Sequence, residues 1–208
     1  MRALWIADLQ LEGGVALGRG EYGEGSRFAE QEAMLDHVVA TAVGRNVQLV
    51  GVLGDVFDRP RPSPWAVIAF QRFVRDLTSA GIQVLCLIGN HDVKSAALPP
   101  ALAIFKNDVH VSLAPSIFPY DGVVVATLPW APMSTLTAKF DGNRDAMHDH
   151  AIGALVHAAH FLSARCREEY PGVPSVLVGH WAISGAALPT GLSTDILKEV
   201  IVPLEDLR

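Results

Sequence analysis

Cysteine is scarce, cationic charge is in deficit and no long apolar run goes uninterrupted; each shortage removes a class of protein. The 208-residue chain carries two cysteines, Cys86 in a Leu-Cys-Leu run and Cys166 in a helix-period stretch. A disulfide framework is therefore not indicated, and a reducing cytoplasm is the expected compartment. The opening residues, MRALWIADLQ, reach Asp8 before an apolar run long enough for an export signal has formed. The uncharged stretch from Gly172 to Thr194 contains Pro174, His180, Pro189 and four glycines, which disqualifies it as a membrane span, so no membrane association is expected. Lys and Arg number 16 against 22 Asp and Glu, a net charge of −6. Such a balance argues against coating nucleic acid through charge alone. It is compatible with a carboxylate-rich metal site, whose charge bound cations would offset. Repeats and low-complexity tracts are absent as well. No GKS or GKT follows the glycine-rich segment 12–26, which reads as a connection rather than a phosphate cradle.

What is present describes a folded enzyme-sized chain. Half the residues are hydrophobic and 18% are charged, enough for a core. Chains of ~100–200 residues usually form one domain, and this one should bury roughly 70% of its unfolded surface. Ala3–Ala7, Gln48–Leu53 and Gln83–Ile88 are compact apolar runs with the signature of buried strands. Between them the periodicity predicts helices over Arg27–Gly44 and Ser63–Ala80. Ser63 is placed to cap the second, Pro64 suits its first turn, and Gly81 ends it. Strand and helix alternating in this way imply a parallel sheet. The second half predicts strands at Val109–Ser112, Ser116–Tyr120 and Gly122–Leu128, a long helix over Arg144–Tyr170, and a further strand at Ser175–Val178. The expected architecture is α/β: two mixed β-sheets packed as a sandwich with flanking helices, in one domain over 1–208.

The chemistry sits where the strands end. The first run leads into Asp8-Leu9-Gln10, the second into Gly54-Asp55-Val56-Phe57-Asp58, the third into Gly89-Asn90-His91-Asp92, and the late strand into Gly179-His180. In sheets of this type ligands bind at the carboxyl edge. Strand alternation across Leu9 would point Asp8 and Gln10 the same way. Singly, each residue has an ordinary explanation as a helix cap, a turn residue or a satisfied buried histidine. Together they are an unlikely product of chance. Asp8, Gln10, Asp55, Asn90 and His180 make a hard oxygen and nitrogen donor set without thiolates, suited to Mn²⁺ or Mg²⁺, with Zn²⁺ or Fe possible. His148, His150, His157 and His160 fall on the long helix and read as ordinary surface residues. Arg59 and Arg61 follow GDVFD and are candidate phosphate contacts; Arg19, Arg27 and Lys94 are weaker candidates of the same kind.

GDVFD and GNHD at this spacing resemble the second and third motifs of the calcineurin-like metallophosphoesterases. GDVFD, the Pro-rich helix start after it and VGHWAISGA are similar to the SbcD-type DNA repair nucleases, and the resemblance runs the length of the chain. It implies two divalent ions, most readily Mn²⁺. Asp55 would bridge them, with Asp8 and Gln10 completing one side and Asn90 and His180 the other. His91 matches the family's catalytic histidine, with Asp92 orienting it, while Asp58 reads as a supporting or capping residue. Two departures accompany the match. Glutamine stands at position 10 where the family's Asp-x-His has histidine, and the family's closing Gly-His-x-His is missing, which leads us to expect a C-terminally shortened chain.

The resemblance therefore implies a metal-dependent nuclease hydrolysing phosphodiesters in DNA repair or recombination, as exonuclease, endonuclease or both. Implied partners are DNA, an SbcC-like ATPase and a second copy of the chain in a homodimer. The alternatives are a phosphoesterase of the same family acting on a nucleotide or other small phosphoester, and a non-catalytic domain that binds DNA or a partner.

Overall fold

The computed structural model describes residues 1–12, 26–93, 100–184 and 200–207. Most of the glycine-rich segment, Arg19 and Lys94 lie outside the described residues. The chain divides into two compact units, Met1–Leu113 and Ala114–Arg208.

In the first unit, strands β1 (Ala3–Ile6), β2 (Leu49–Leu53), β3 (Gln83–Leu87) and β4 (His110–Ser112) form one sheet in sequence order. Every neighbouring pair is parallel, so this sheet is not mixed as expected. Helices between the strands make each connection a crossover, which forces parallel pairing. Helix α1 (Arg27–Gly44) starts at Ser26, whose hydroxyl accepts from the Ala29 N–H. Helix α2 (Pro64–Ser79) starts at Ser63, which accepts from Ala66 N–H, with Pro64 in its first turn. Such caps typically contribute ~1 kcal/mol each by satisfying amides the helix cannot. Helix α2 buries Ala66, Phe70, Phe73, Val74 and Leu77, the three- and four-residue spacing of one helical face. That face meets Val50, Val52, Val84 and Cys86 of the central strands in one cluster. Phe70 is its hub, with edge-on contacts to Phe57 and Phe105 at 5.8 and 5.1 Å between ring centres. Strand β1 is half-buried because it is the sheet edge, whereas β2 and β3 are the buried runs the sequence implied.

The second unit holds β5 (Ser116–Tyr120), β6 (Val123–Leu128) and β7 (Ser175–Gly179). A tight turn at Asp121-Gly122, with Gly122 at φ 75°, makes β5 and β6 antiparallel. β7 returns parallel to β6, so this sheet is mixed. Between them lie the single turn α3 (Met133–Leu136) and the long helix α4 (Arg144–Glu169), capped by Asn143. Ala151, Leu155, Ala159, Leu162 and Cys166 of α4 pack on Val124, Ala126 and Leu128 of β6. β7 is not a buried strand: Val176 and Leu177 are 41% and 42% exposed, and among the described residues it lies at the sheet edge. Short strands β8 (Ala182–Ile183) and β9 (Ile201–Val202) pair in parallel. His148, His150, His157 and His160 are exposed on α4. Among the described residues no helix is long and apolar enough to cross a membrane.

Candidate metal centre

Because β1, β2 and β3 are parallel neighbours, their carboxyl ends share one edge, and each is followed by a loop carrying expected site residues. β1 ends at Ile6, so strand alternation does not direct Asp8 and Gln10 as the sequence reading supposed. Both residues are instead left-handed, at φ 54° and 44°, and Leu9 and Leu11 between and after them are buried. The loop is tied to the one after β2: Asp8 N–H donates to the Gly54 carbonyl at 3.2 Å, Gln10 N–H to that of Asp55 at 2.9 Å, and Leu11 N–H to that of Val56 at 2.9 Å. Gln31 of α1 supports it from the other side, its amide donating to the Gln10 carbonyl at 2.9 Å.

Asp55 is also left-handed, at φ 51°. A non-glycine residue held there costs on the order of 1–3 kcal/mol and persists only where its surroundings over-determine it. Among the described residues the left-handed non-glycines are Asp8, Gln10, Asn46 and Asp55. Asn46 turns the chain after α1; the other three are expected metal ligands. Backbone strain is thus concentrated at the expected site. Carboxylate oxygens of Asp8 and Asp55 lie within 4.8 Å of one another. The Asp55 side chain is almost wholly buried and its Oδ1 accepts from His91 N–H at 2.9 Å. Two anionic groups this close repel, and burying one is costly without a compensating cation. Gln10 and Asn90 lie on loops at the same edge, and carboxylates with amide oxygens are donors that suit hard divalent ions.

Gly89 makes this approach possible. A Cβ there would sit 2.1 Å from Asp55 Oδ1 and 2.4 Å from its backbone nitrogen. Asp92, expected to orient His91, does something else. Its buried carboxylate accepts from Phe57 N–H at 3.2 Å and Gly89 N–H at 2.9 Å, bracing the loops after β2 and β3. Burial pushes its pKa up to about 6, against the opposing pull of those amides. The orienting partner of His91 is the Asp58 carbonyl, 2.8 Å from Nδ1. A carbonyl can only accept, so Nδ1 carries hydrogen and Nε2 is left facing Asp55, 3.9 Å from its Oδ2. The Asp58 carbonyl, followed by the negative charge of Asp55, raises the His91 pKa, with burial acting in the opposite direction.

Arg59 is 57% exposed and its guanidinium is engaged by Glu12 at 3.4 Å and Asp58 at 3.7 Å. The Asp58 partner is 43% exposed, so that pair is worth ~0–1 kcal/mol, whereas the Glu12 carboxylate is buried. Arg61 is exposed. Glu12, which sequence reasoning passed over, is buried and also accepts from Ser63 N–H at 3.2 Å, joining the first loop to the α2 cap. Cys86 is buried beneath the site with its thiol pKa pushed far up by burial, so it offers no thiolate. Asp8, Gln10, Asp55, Asn90, His91 and Asp92 therefore all lie on loops at one edge of the first unit's sheet. His180 belongs to the second unit, half-buried at the first residue past β7.

The calcineurin-like phosphoesterase family profile matches residues 1–184. The chain belongs to that family. Membership brings hydrolase chemistry on phosphate esters at divalent metal ions. The chain is 31% identical over 198 residues to the SbcD component of the nuclease SbcCD from Escherichia coli strain K12, covering 89% of this chain and 48% of that protein. It is 31% identical over 192 residues to the DNA double-strand break repair protein Mre11 of Aeropyrum pernix, covering 85% and 46%. The chain spans about half the length of the curated relatives it matches. A dimetal phosphatase from Danio rerio shares 14% identity at a TM-score of 0.49, covering 86% of this chain and 69% of that one.

Proposed function

We propose that this phosphoesterase is a DNA nuclease of the SbcD type, cleaving phosphodiesters in duplex ends or hairpins during repair or recombination. The observation that carries the metal chemistry is the strained, closely spaced pair Asp8 and Asp55 at the carboxyl edge of a parallel sheet. The choice of DNA is supported by the SbcD and Mre11 relatives, whose names describe a nuclease and a DNA break repair protein.

Asp55 would bridge two ions, Asp8 and Gln10 would hold one, and Asn90 together with His180 the other. Bound divalent ions supply a water of lowered pKa and stabilise charge on the departing oxygen. His91, with Nδ1 held by the Asp58 carbonyl, presents Nε2 for a proton to be delivered to the leaving group. Asp92 fixes the loop that carries His91 and Asn90. Manganese is the proposed ion, in keeping with hard donors plus one imidazole. Two buried free cysteines support a cytoplasmic setting. An SbcC-like ATPase and a second copy of the chain are the proposed partners, and residues 1–208 the nuclease portion, without a Gly-His-x-His segment. Incubation with end-labelled duplex and hairpin DNA in Mn²⁺ tests this reading. Mn²⁺-dependent cleavage supports it, and hydrolysis of mononucleotides or phosphopeptides without DNA cleavage would favour the small-substrate alternative.

A further inference from the structure

Two of the chain's four tryptophans, Trp130 and Trp181, stand together in the second unit. β6 and β7 are parallel with Leu128 opposite Gly179, so both strands leave the sheet at the same edge, and each delivers an indole two residues on. The core beneath them is built from smaller groups, Val124, Ala126, Leu128, Leu155 and Leu162. Both indoles are half-buried, tilted by 22° to each other, with centres 6.5 Å apart. Stacked aromatic pairs span ~4.5–7 Å between centres. At the wide end of that range the overlap is small, and part of each ring face is left uncovered by the other.

The platform is held in place. Trp181 Nε1–H donates to the Leu128 carbonyl at 2.9 Å, which fixes the ring and satisfies its polar atom. A Cβ at residue 179 would lie 2.9 Å from that same carbonyl oxygen and 3.2 Å from Trp181 Cδ1, so glycine there keeps the ring seated. Trp181 packs against the core on one side, and the half-burial of both rings leaves part of their apolar surface exposed.

We infer that Trp130 and Trp181 form a stacking platform for a nucleobase. This rests on the proposed function, in which DNA is the substrate, and it adds a source of affinity. The chain is acidic and Arg59 is engaged by carboxylates, so phosphate contacts alone offer limited binding. Stacking on aromatic faces is tolerant of sequence because every base has such a face.

The test compares a single-stranded oligonucleotide with one of equal length carrying abasic residues, in Ca²⁺ to hold back turnover. Binding is read by fluorescence anisotropy. The wild-type protein should prefer the base-bearing strand by at least about fivefold. Trp130→Ala should bring the two affinities together, and Trp130→Phe, which keeps a ring face, should retain the preference. Equal wild-type binding of both strands would overturn the platform while leaving the nuclease reading intact. A preference that survives Trp130→Ala in folded protein would overturn it too. Binding of neither strand, alongside Mn²⁺-dependent hydrolysis of a phosphopeptide, would overturn both.

Discussion

The backbone N–H of His91 donates to Oδ1 of Asp55 across 2.9 Å, tying the loop after β3 to the carboxylate that ends β2. One hydrogen bond thus couples the expected bridging ligand to the expected proton donor. It can form because Gly89, two residues earlier, lets the two loops approach.

Gly89→Ala should therefore damage the site at its base. The added methyl would overlap Asp55 at both Oδ1 and the backbone nitrogen, and backbone cannot swing aside as a flexible side chain does. Overpacking of this kind costs ~1–3 kcal/mol. The expected outcome is a lower melting temperature together with loss of Mn²⁺ binding by calorimetry. A wild-type titration curve for the variant would show that Asp55 does not depend on this approach.

His91 and Asp92 should separate cleanly under mutation. His91→Ala is expected to cut turnover by ~10²–10⁴-fold, the usual contribution of a positioned acid or base, while leaving the fold intact. Asp92→Ala strands the Phe57 and Gly89 amides, at about 1–3 kcal/mol for each buried donor left unsatisfied. It should show first as a fall in thermal stability. If Asp92→Ala kept its melting temperature and lost turnover alone, Asp92 would be the orienting residue after all.

Gln10→His should strengthen the weaker ion. A neutral amide oxygen is a poorer donor than imidazole, so the side formed by Asp8, Gln10 and Asp55 is expected to bind Mn²⁺ less tightly than the other. Calorimetric titration should resolve two unequal affinities in the wild-type protein, with the weaker one tightened in the variant. Two equal tight sites before mutation would count against the assignment of Gln10.

Much of the fold was legible because its determinants are local. Ser26, Ser63 with Pro64, and Asn143 mark helix starts through their own side chains, and the apolar runs at Leu49–Leu53 and Gln83–Leu87 are the central strands. Motif spacing likewise put Asp55, Asn90 and His91 after strand ends, where the structure has them on loops at one sheet edge. The missing parts are tertiary. Left-handed backbone at Asp8 and Gln10 follows from hydrogen bonds to the loop after β2, which no pattern within MRALWIADLQ encodes. The partner of His91 is the Asp58 carbonyl, and every residue has a carbonyl, so no pattern in the sequence singles out this contact. Asp92 was assigned by analogy of residue type, whereas its burial between two loops decides its role. Among the described residues β7 is an exposed edge strand, and an apolar run cannot reveal that position.

The central claim is that Asp55 organises a metal centre that cleaves DNA, and a paired assay tests it most directly. Wild-type protein and Asp55→Asn, matched by circular dichroism, are incubated with end-labelled hairpin DNA across a Mn²⁺ titration. The account predicts cleavage that rises with Mn²⁺ and stops on chelation in the wild type, and none in Asp55→Asn, which keeps the shape of the side chain but loses its charge. Cleavage by Asp55→Asn at the wild-type rate, or by the wild-type protein in the presence of chelator, would contradict it.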